Sequence, residues 1–463
     1  MLRFYNTLTR QRDVFQALED GHVRMYTCGP TVYNHPHIGN YRAYMFEDLL
    51  RRYLKYRRYQ VTQIMNLTDV DDKTIRDAQK AGLSLHDFTA IYSQAFFEDL
   101  QTLNIEAAEH YPAATDHIPE MIAIIQRLQE RGYTYTVDGS IYYRIDRFPD
   151  YGKLAHLEAE TLQNGASGRM DRDEYDKDDM RDFALWKAWT PEDGEVYWET
   201  ALGKGRPGWH IECSAMAMKY LGTHFDIHTG GEDNIFPHHE NEIAQSEAAT
   251  GEPFVNYWLH CRHLLVDNQK MSKSLGNFYT LRDLLAQGFK PQGVRYALLS
   301  IHYRQPLNFT FDGLHAAEQA VQRLVDFMQH VSTAHGAGFD VHPLLATTQQ
   351  RFEDALDDDL NISAALGAIF EMVREVNRAI AQQQLSVEQA ELVHALMRRF
   401  DTVLGLLTEA AVSLDREAEA LMAERQQARQ ARDFARADTL RTALRARGYV
   451  VEDTPQGPRL KRV

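Results

Sequence analysis

Two lysines stand three residues apart in Lys270-Met271-Ser272-Lys273-Ser274, a run flanked by Asp267-Asn268-Gln269 and by Leu275-Gly276-Asn277. Two mobile ammonium groups on a short Ser- and Gly-flanked loop suit a polyphosphate. Each is a point charge with three donors, and charge building on a transferring phosphoryl group is stabilised best by such groups. A lone Lys-x-x-Lys is usually a solvated turn, so a second segment has to carry the reading. Pro36-His37-Ile38-Gly39-Asn40 lies about 230 residues upstream. An alternating apolar stretch, Val23 to Thr27, and the turn Cys28-Gly29-Pro30 precede it; Tyr44, Leu49, Tyr53 and Tyr56 follow at near-helical spacing. The pattern predicts a strand, a turn and a helix from about Ile38. Free amides and a positive dipole end then meet at one spot, a ready anion site. His37 is placed there as a donor to phosphate, and Gly39 lets a nucleotide approach the backbone.

Metal chemistry is the second theme. The chain has three cysteines, Cys28, Cys213 and Cys261. So low and odd a count argues for a reducing compartment and against a disulfide framework. In Phe236-Pro237-His238-His239-Glu240-Asn241-Glu242, a proline suited to a first helical turn predicts that His238 and Glu242 share one helix face. With thiolates brought from elsewhere, they make a normal four-ligand zinc set. Read alone, the segment fits a capped helix start with both side chains in water better, and Cys28 and Cys213 can each be small buried hydrophobes.

The His37 and Lys270 segments, in this order, resemble the HIGH and KMSKS signatures of class I aminoacyl-tRNA synthetases. The second matches fully. The first ends in Asn40 where the class has His, which keeps a hydrogen-bond donor and loses the capacity for charge. Cys28, the segment Gly208-Trp209-His210-Ile211-Glu212-Cys213-Ser214 and the His238 segment extend the likeness to the cysteinyl-tRNA synthetase family. So do Asn66 to Lys73, His224 to His228 and the C-terminal Arg-rich helix, and together they cover essentially all 463 residues in order.

That resemblance implies an enzyme that activates L-cysteine with ATP to cysteinyl-adenylate and transfers it to the 3′ end of tRNA(Cys). It implies one zinc per chain, held by Cys28, Cys213, His238 and Glu242, with Mg²⁺ arriving alongside ATP. ATP would meet His37, Gly39, Asn40, Asp233, Lys270 and Lys273, with His37, Asn40, Lys270 and Lys273 acting in catalysis. Thr68, Trp209 and His228 would line the cysteine pocket, core packing being the other reading for Thr68 and Trp209. Arg429, Phe434, Asp438 and Asp453 map onto the family's anticodon-reading positions; Phe434 keeps a stacking face where the family often has Trp. Cys261 is left over as a core or surface thiol. A zinc ion also fits the discrimination problem. Shape alone separates near-isosteres such as cysteine and serine by only about 10²-fold, whereas a metal asks about ligand softness.

Elements must bring these residues together over 250 residues of chain. Strand-like runs at Val23–Thr27, Gln60–Met65, Phe225–His228 and Trp258–Val266 alternate with helical ones, as in a parallel nucleotide-binding sheet. The expected fold is α/β: a Rossmann-type parallel catalytic domain with an insertion, then an all-α helical bundle and a small C-terminal anticodon-binding domain. The boundaries read as 1–123 and 204–252 for the two catalytic halves, 124–203 for the insertion, and 253–312 for the KMSKS loop and stem-contact region. The bundle takes 313–410 and the anticodon domain 411–463. Residues 137–200 look polar and irregular, with a charged patch from Asp171 to Asp182. Past 313 the pattern is purely helical, as in Leu314, Ala317, Val321, Leu324 and Met328, or Leu366, Ile369, Val373, Val376 and Ile380.

Net charge is −16, which taken alone argues against an RNA partner. From Arg425 to Val463, however, nine Arg and one Lys oppose four acids, a local +6 on a body of about −22. A basic terminal module on an acidic body is expected where only certain faces meet phosphate. The first 25 residues lack the apolar core of a signal peptide and no 18-residue apolar run occurs, so the expectation is a cytoplasmic monomer without a membrane span. Two rivals share the catalytic half. One is a tRNA-independent small-molecule cysteine ligase of the mycothiol-pathway type, which has no use for a bundle and basic tail. The other is a non-catalytic zinc-dependent cysteine sensor, which should have lost the lysines.

Overall fold

The computed structural model of the chain describes residues 1–157, 169–170, 182–272, 275–407, 416–447, 449–454 and 457–462. They form two compact units: Met1–Glu318 with Gln350–Gly367, and Gln319–Gln349 with Ala368–Val463.

The first unit opens with an antiparallel hairpin, β1 (Arg3–Asn6) and β2 (Gln11–Val14). β3 (His22–Thr27) leads through the Cys28–His37 loop into α1 (Ile38–Tyr56) and back to β4 (Gln60–Met65). α2 (Asp72–Ala81), α3 (Leu85–Thr102) and α4 (Ile118–Glu130) follow. Next comes a second sheet: β5 (Thr134–Val137), β6 (Ser140–Tyr143), β7 (Arg169–Met170), β8 (Asp182–Ala188), β9 (Trp198–Thr200) and β10 (Gly203–Pro207), ordered β5-β6-β8-β10-β9 with β7 beside β8. The chain then returns through α5 (Trp209–Leu221), β11 (Phe225–Gly231), α6 (Glu240–Thr250) and β12 (Val255–Cys261). β3, β4, β11 and β12 make one sheet ordered β12-β11-β3-β4, parallel at every pairing. That is the expected parallel layer; its strands are largely buried, with Thr27, Gln63, Asp226, His228 and Thr229 among the buried polar residues.

Three expectations about this unit are corrected. The described parts of residues 137–200 lie on the sheet of β5 to β10, antiparallel except where β7 runs parallel to β8, rather than being irregular; of the patch Asp171 to Asp182, only Asp182 lies within the described residues. The strand expected over Trp258–Val266 divides into β12 and β13 (Leu264–Val266), and β13 joins a small sheet with β14 (Gln269–Lys270) and β15 (Leu307–Phe309). The helix expected from Pro237 begins at Glu240, because Phe236 is extended (φ −134°, ψ 131°) and Ile235–His239 forms a wider turn.

Farther along, α7 (Leu281–Ala286) and α8 (Pro291–Leu299) precede four longer helices: α9 (Phe311–Val331), α10 (His342–Asp357), α11 (Ile362–Ala381) and α12 (Val387–Leu404). The stripe from Leu314 to Met328 is buried, as is that from Leu366 to Val376, with Ile380 half-buried. In the second unit α13 (Arg416–Gln430) and α14 (Phe434–Ala446) pair, and an antiparallel hairpin follows, β16 (Tyr449–Thr454) with β17 (Gly457–Arg462). The expectation of a purely helical chain past residue 313 fails at this hairpin.

Candidate active site

Cys28 leaves the end of β3 with its N–H on Thr229 O of β11 at 3.3 Å. The next residue must be glycine, since a Cβ on Gly29 would fall 1.7 Å from Asn66 O. Cys213 comes from α5, His238 from the turn before α6, and Glu242 from its first turn. All four are buried, and their ligand atoms lie within 4.8 Å of one another. His238 and Glu242 meet although the regular helix starts only at Glu240, Nε2 to Oε1 at 3.0 Å. Cys261 is buried elsewhere, near Arg42 O, and burial first of all pushes its thiol up to about 12.

A second set, Cys28, His228, His239 and Glu242, is equally compact. Its histidines already hydrogen-bond within the set and to their neighbours. His228 Nε2 holds Glu242 Oε2 at 2.9 Å, and its ring stacks on Trp258 at 4.6 Å. His239 bonds His260 at 2.8 Å through Nδ1 and Cys28 Sγ at 3.2 Å through Nε2. In the first set, His210 Nδ1 occupies His238 Nδ1 at 2.9 Å, which turns Nε2 toward the thiols and Glu242. Glu242 Oε1 is buried without an aligned hydrogen bond. A fully buried oxygen in that state, beside two thiols and an imidazole, fits a bound divalent metal of zinc type.

The charges agree with such a set. Cys28 hydrogen-bonds Cys213, which holds the Cys213 thiol down at about 6 and pushes Cys28 up. Burial alone would lower His238, but Cys213 and Glu242 push it up to about 10. Glu242, which burial would raise, is held below the usual range by His228 and His238. Around them His210 and His239 are neutral through burial. Neutral imidazoles allow one consistent direction: Thr7 Oγ1 donates to His260 Nδ1 at 2.7 Å, His260 to His239, and His239 Nε2–H to Cys28 Sγ.

The His37 and Lys270 segments meet through loops. His37 caps α1: its Nδ1 accepts Asn40 N–H, while Asn40 Oδ1 accepts His37 N–H, both at 3.1 Å. Burial lowers the His37 pKa, so the ring is neutral with Nδ1 an acceptor. Its proton then sits on Nε2, the donor a phosphate needs. Across the site Phe278 packs edge-on against His37 at 5.2 Å, and Tyr279 O accepts Ile38 N–H at 2.9 Å. The Lys270 loop thus closes over the head of α1. A Cβ on Gly39 would lie 2.8 Å from Met271 Cε, so this glycine makes room for the loop. Lys270 is exposed at the end of β14; Lys273 lies outside the described residues. Asn277 staples the loop, accepting Ser272 N–H at 2.8 Å and donating to Lys270 O at 3.3 Å. Asp233 is exposed just past β11 and contributes to the field at His37.

Of the expected cysteine-pocket residues, Thr68 is buried and donates to Glu212 at 3.2 Å. Trp209 starts α5 and stacks on His238 at 4.5 Å. His228 sits fully buried behind Glu242. In the second unit Arg429, Phe434 and Asp438 are exposed, while the side chain of Asp453, in β16, lies outside the described residues. Sequence reasoning missed His210, His239, His260 and Asn277 as supports. The first two stand inside the segments already singled out, beside Cys213 and His238.

The chain matches the family described as tRNA synthetases class I (C) catalytic domain over residues 14–319. It matches the DALR domain over 351–408 and the cysteinyl-tRNA ligase anticodon binding domain over 411–458. A cysteine–tRNA ligase of Protochlamydia amoebophila is 54% identical, covering 100% of this chain and 98% of the relative. One of Brachyspira hyodysenteriae is 49% identical over 99% of each. Among solved structures, the methionyl-tRNA synthetase of Mycobacterium tuberculosis with methionyl-adenylate superposes with TM-score 0.61 at 18% identity, over 83% of this chain and 88% of that one, and so shares the fold. Matched along its whole length by relatives near half identical, the chain belongs to the cysteinyl-tRNA synthetase family of class I aminoacyl-tRNA synthetases.

Proposed function

We propose that the protein is a cysteine–tRNA ligase, joining L-cysteine to ATP as cysteinyl-adenylate and passing the cysteinyl group to the terminal ribose of tRNA(Cys), as a cytoplasmic monomer. No helix among the described residues is long and apolar enough to cross a membrane. The observation that carries the reading is the convergence of Cys28, Cys213, His238 and Glu242 within 4.8 Å, with Cys28 just past β3 on the loop that leads to the His37 cap. Zinc held by these four residues would supply selection for a side-chain sulfur over a hydroxyl.

The remaining work is positioning. The cysteine carboxylate attacks the α-phosphorus and pyrophosphate leaves, so little covalent chemistry falls to the protein. His37 donates from Nε2–H to a phosphate oxygen; the free amides expected at the head of α1 are not available, because Ile38 N–H is held by Tyr279 O and the His37 and Asn40 N–H groups by each other's side chains. Lys270 and Lys273 offset the growing charge, with Mg²⁺ on the triphosphate. Asn40 keeps His37 oriented, and Asp233 lies close enough to contribute to the field at His37 beside ATP. Thr68, Trp209 and His228 shape the space beside the four ligands. The anticodon-binding match over residues 411–458 weighs against a tRNA-independent ligase, and the intact lysines weigh against a sensor.

The test is ATP–pyrophosphate exchange with each amino acid in turn, followed by charging of tRNA(Cys). Exchange with cysteine alone, then charging, is expected. Exchange without charging would favour the small-molecule ligase, and cysteine binding without exchange the sensor.

A further inference from the structure

Glu242 turns its two oxygens to two different histidines. Oε1 faces His238 Nε2 at 3.0 Å, within the set already described, and Oε2 faces His228 Nε2 at 2.9 Å. The Nε2 of His239 stands 3.2 Å from Cys28 Sγ and 3.9 Å from Glu242 Oε1. Cys28, His228, His239 and Glu242 thus form a second group, all buried, whose ligand atoms lie within 4.8 Å of one another. Tetrahedral arms of zinc-type length put ligand atoms about 3.2–3.7 Å apart, so these separations enclose a hole of metal size.

His228 carries the clearest sign of a cation. Both atoms that face its ring nitrogens are acceptors: Thr229 O lies 3.3 Å from Nδ1 and Glu242 Oε2 2.9 Å from Nε2. A neutral imidazole can donate to one of them only. With Nδ1–H on Thr229 O, a cation between Nε2 and Oε2 turns two opposed lone pairs into two ligands. His239 can present Nε2 in the same way. Its Nδ1 meets His260 at 2.8 Å, and His260 meets Thr7 Oγ1 at 2.7 Å. These bonds can also run outward, His239 Nδ1–H to His260 and His260 Nδ1–H to Thr7, which leaves the His239 Nε2 lone pair for a metal while each ring keeps one proton. His260 lines an open cavity of about 310 Å³, which brings solvent within one hydrogen bond of His239.

Charge favours a second ion here. Two thiolates and a carboxylate bring three negative charges to the first set, and one divalent ion leaves one of them uncompensated. The second set has one thiolate, shared with the first, and its occupant must displace the His228–Glu242 and His239–Cys28 hydrogen bonds, so it binds more weakly. We infer that Cys28, His228, His239 and Glu242 hold a second divalent cation of zinc type beside the first, sharing the Cys28 sulfur and the Glu242 carboxylate, and that this ion shuts the site against cysteine. The inference rests on the zinc-dependent ligase reading, in which Cys28 holds the first zinc and His228 borders the substrate.

The test uses the full-length enzyme carrying one zinc, with free zinc or cobalt fixed by a metal buffer so that chelation by cysteine does not register. Bound metal is counted by equilibrium dialysis, and cysteine-dependent ATP–pyrophosphate exchange is followed over the same range. With cobalt in both places, electron paramagnetic resonance is recorded. A second, weaker equivalent should bind, and exchange should fall as it fills. The two cobalt ions should couple through the shared sulfur, so that their signal falls short of two isolated ions. His239→Gln should keep the first equivalent and raise the free zinc needed for half inhibition by about tenfold or more, since even an outer-shell partner is worth that much. Parent-like inhibition in His239→Gln would overturn the assignment. So would two equivalents whose signals add without coupling, or a single equivalent throughout the inhibitory range. The parent's stoichiometry and spectrum decide the matter even where the variant does not fold. A protein that binds no first equivalent, or shows no cysteine-dependent exchange at any zinc level, would instead remove the ligase reading, and this inference with it.

Discussion

Buried ionisable side chains decide most of the chemistry at the residue scale, and Glu47 shows what burial alone can do. It is fully buried on α1, accepts Thr229 Oγ1–H at 3.0 Å through Oε1, and has no hydrogen bond on Oε2. Burial pushes its carboxyl up to about 8. A carboxyl raised in the folded state binds a proton that the unfolded chain has released. Its cost to stability therefore grows as pH rises from about 4.5 to about 8 and is constant above that, reaching the order of a few kcal/mol. Glu47→Gln should stabilise the fold, by an amount that widens across that window in denaturant melts; a gap independent of pH would mean that Glu47 is charged throughout. The thiols divide more sharply. Cys28→Ser and Cys213→Ser should each lose zinc and cysteine activation, because a neutral hydroxyl is a poor ligand. Cys261→Ser should keep one zinc per chain by metal analysis, and stripping of the metal in that variant alone would refute the ligand set.

At the scale of elements, the loop carrying Lys270 depends on Asn277, which is bonded to both of its arms. Asn277→Ala removes two hydrogen bonds from a half-exposed site, so the fold should survive while the loop loses its set. Adenylate formation should slow by about tenfold, the value of one to two kcal/mol, with melting temperature unchanged; an unaltered rapid-mixing rate would show that the loop is held by other contacts. How much of this was legible follows from the same physics. The strands β3, β4 and β11 are short strand-like runs and the helix from Ile38 repeats large side chains at helical spacing, and they stand where expected. The largely antiparallel sheet before α5 was hidden because two of its cations are buried against carboxylates. Lys187 and Arg206 meet Asp72, and Arg206 also meets Asp193 at 2.9 Å, so cations that look solvated in sequence sit inside. The His210, His239 and His260 supports were hidden for another reason. Each bonds a partner 21 or more residues away, and no local spacing encodes that.

The whole molecule separates two kinds of charge. An acidic body holds the buried, paired site, while the last 39 residues carry the surplus of +6. Phe434 stands 62% exposed at the start of α14, an aromatic face left in solvent with the exposed Arg429 and Asp438 on the same helix pair. A large ring left so open contributes little to folding, which favours its use as a platform for an unstacked base. Phe434→Ala and Arg429→Ala in the full chain should therefore leave cysteine-dependent exchange and melting temperature close to the parent. Each should raise the Michaelis constant for tRNA by the equivalent of about 1–3 kcal/mol, the worth of one stacked base. Because Phe434 carries no charge, its loss should leave the salt slope of tRNA binding intact, whereas losing Arg429 should lower it. If both variants charge tRNA with unchanged constants, the exposed ring is an ordinary surface residue and the basic surplus of this segment is a solvated face.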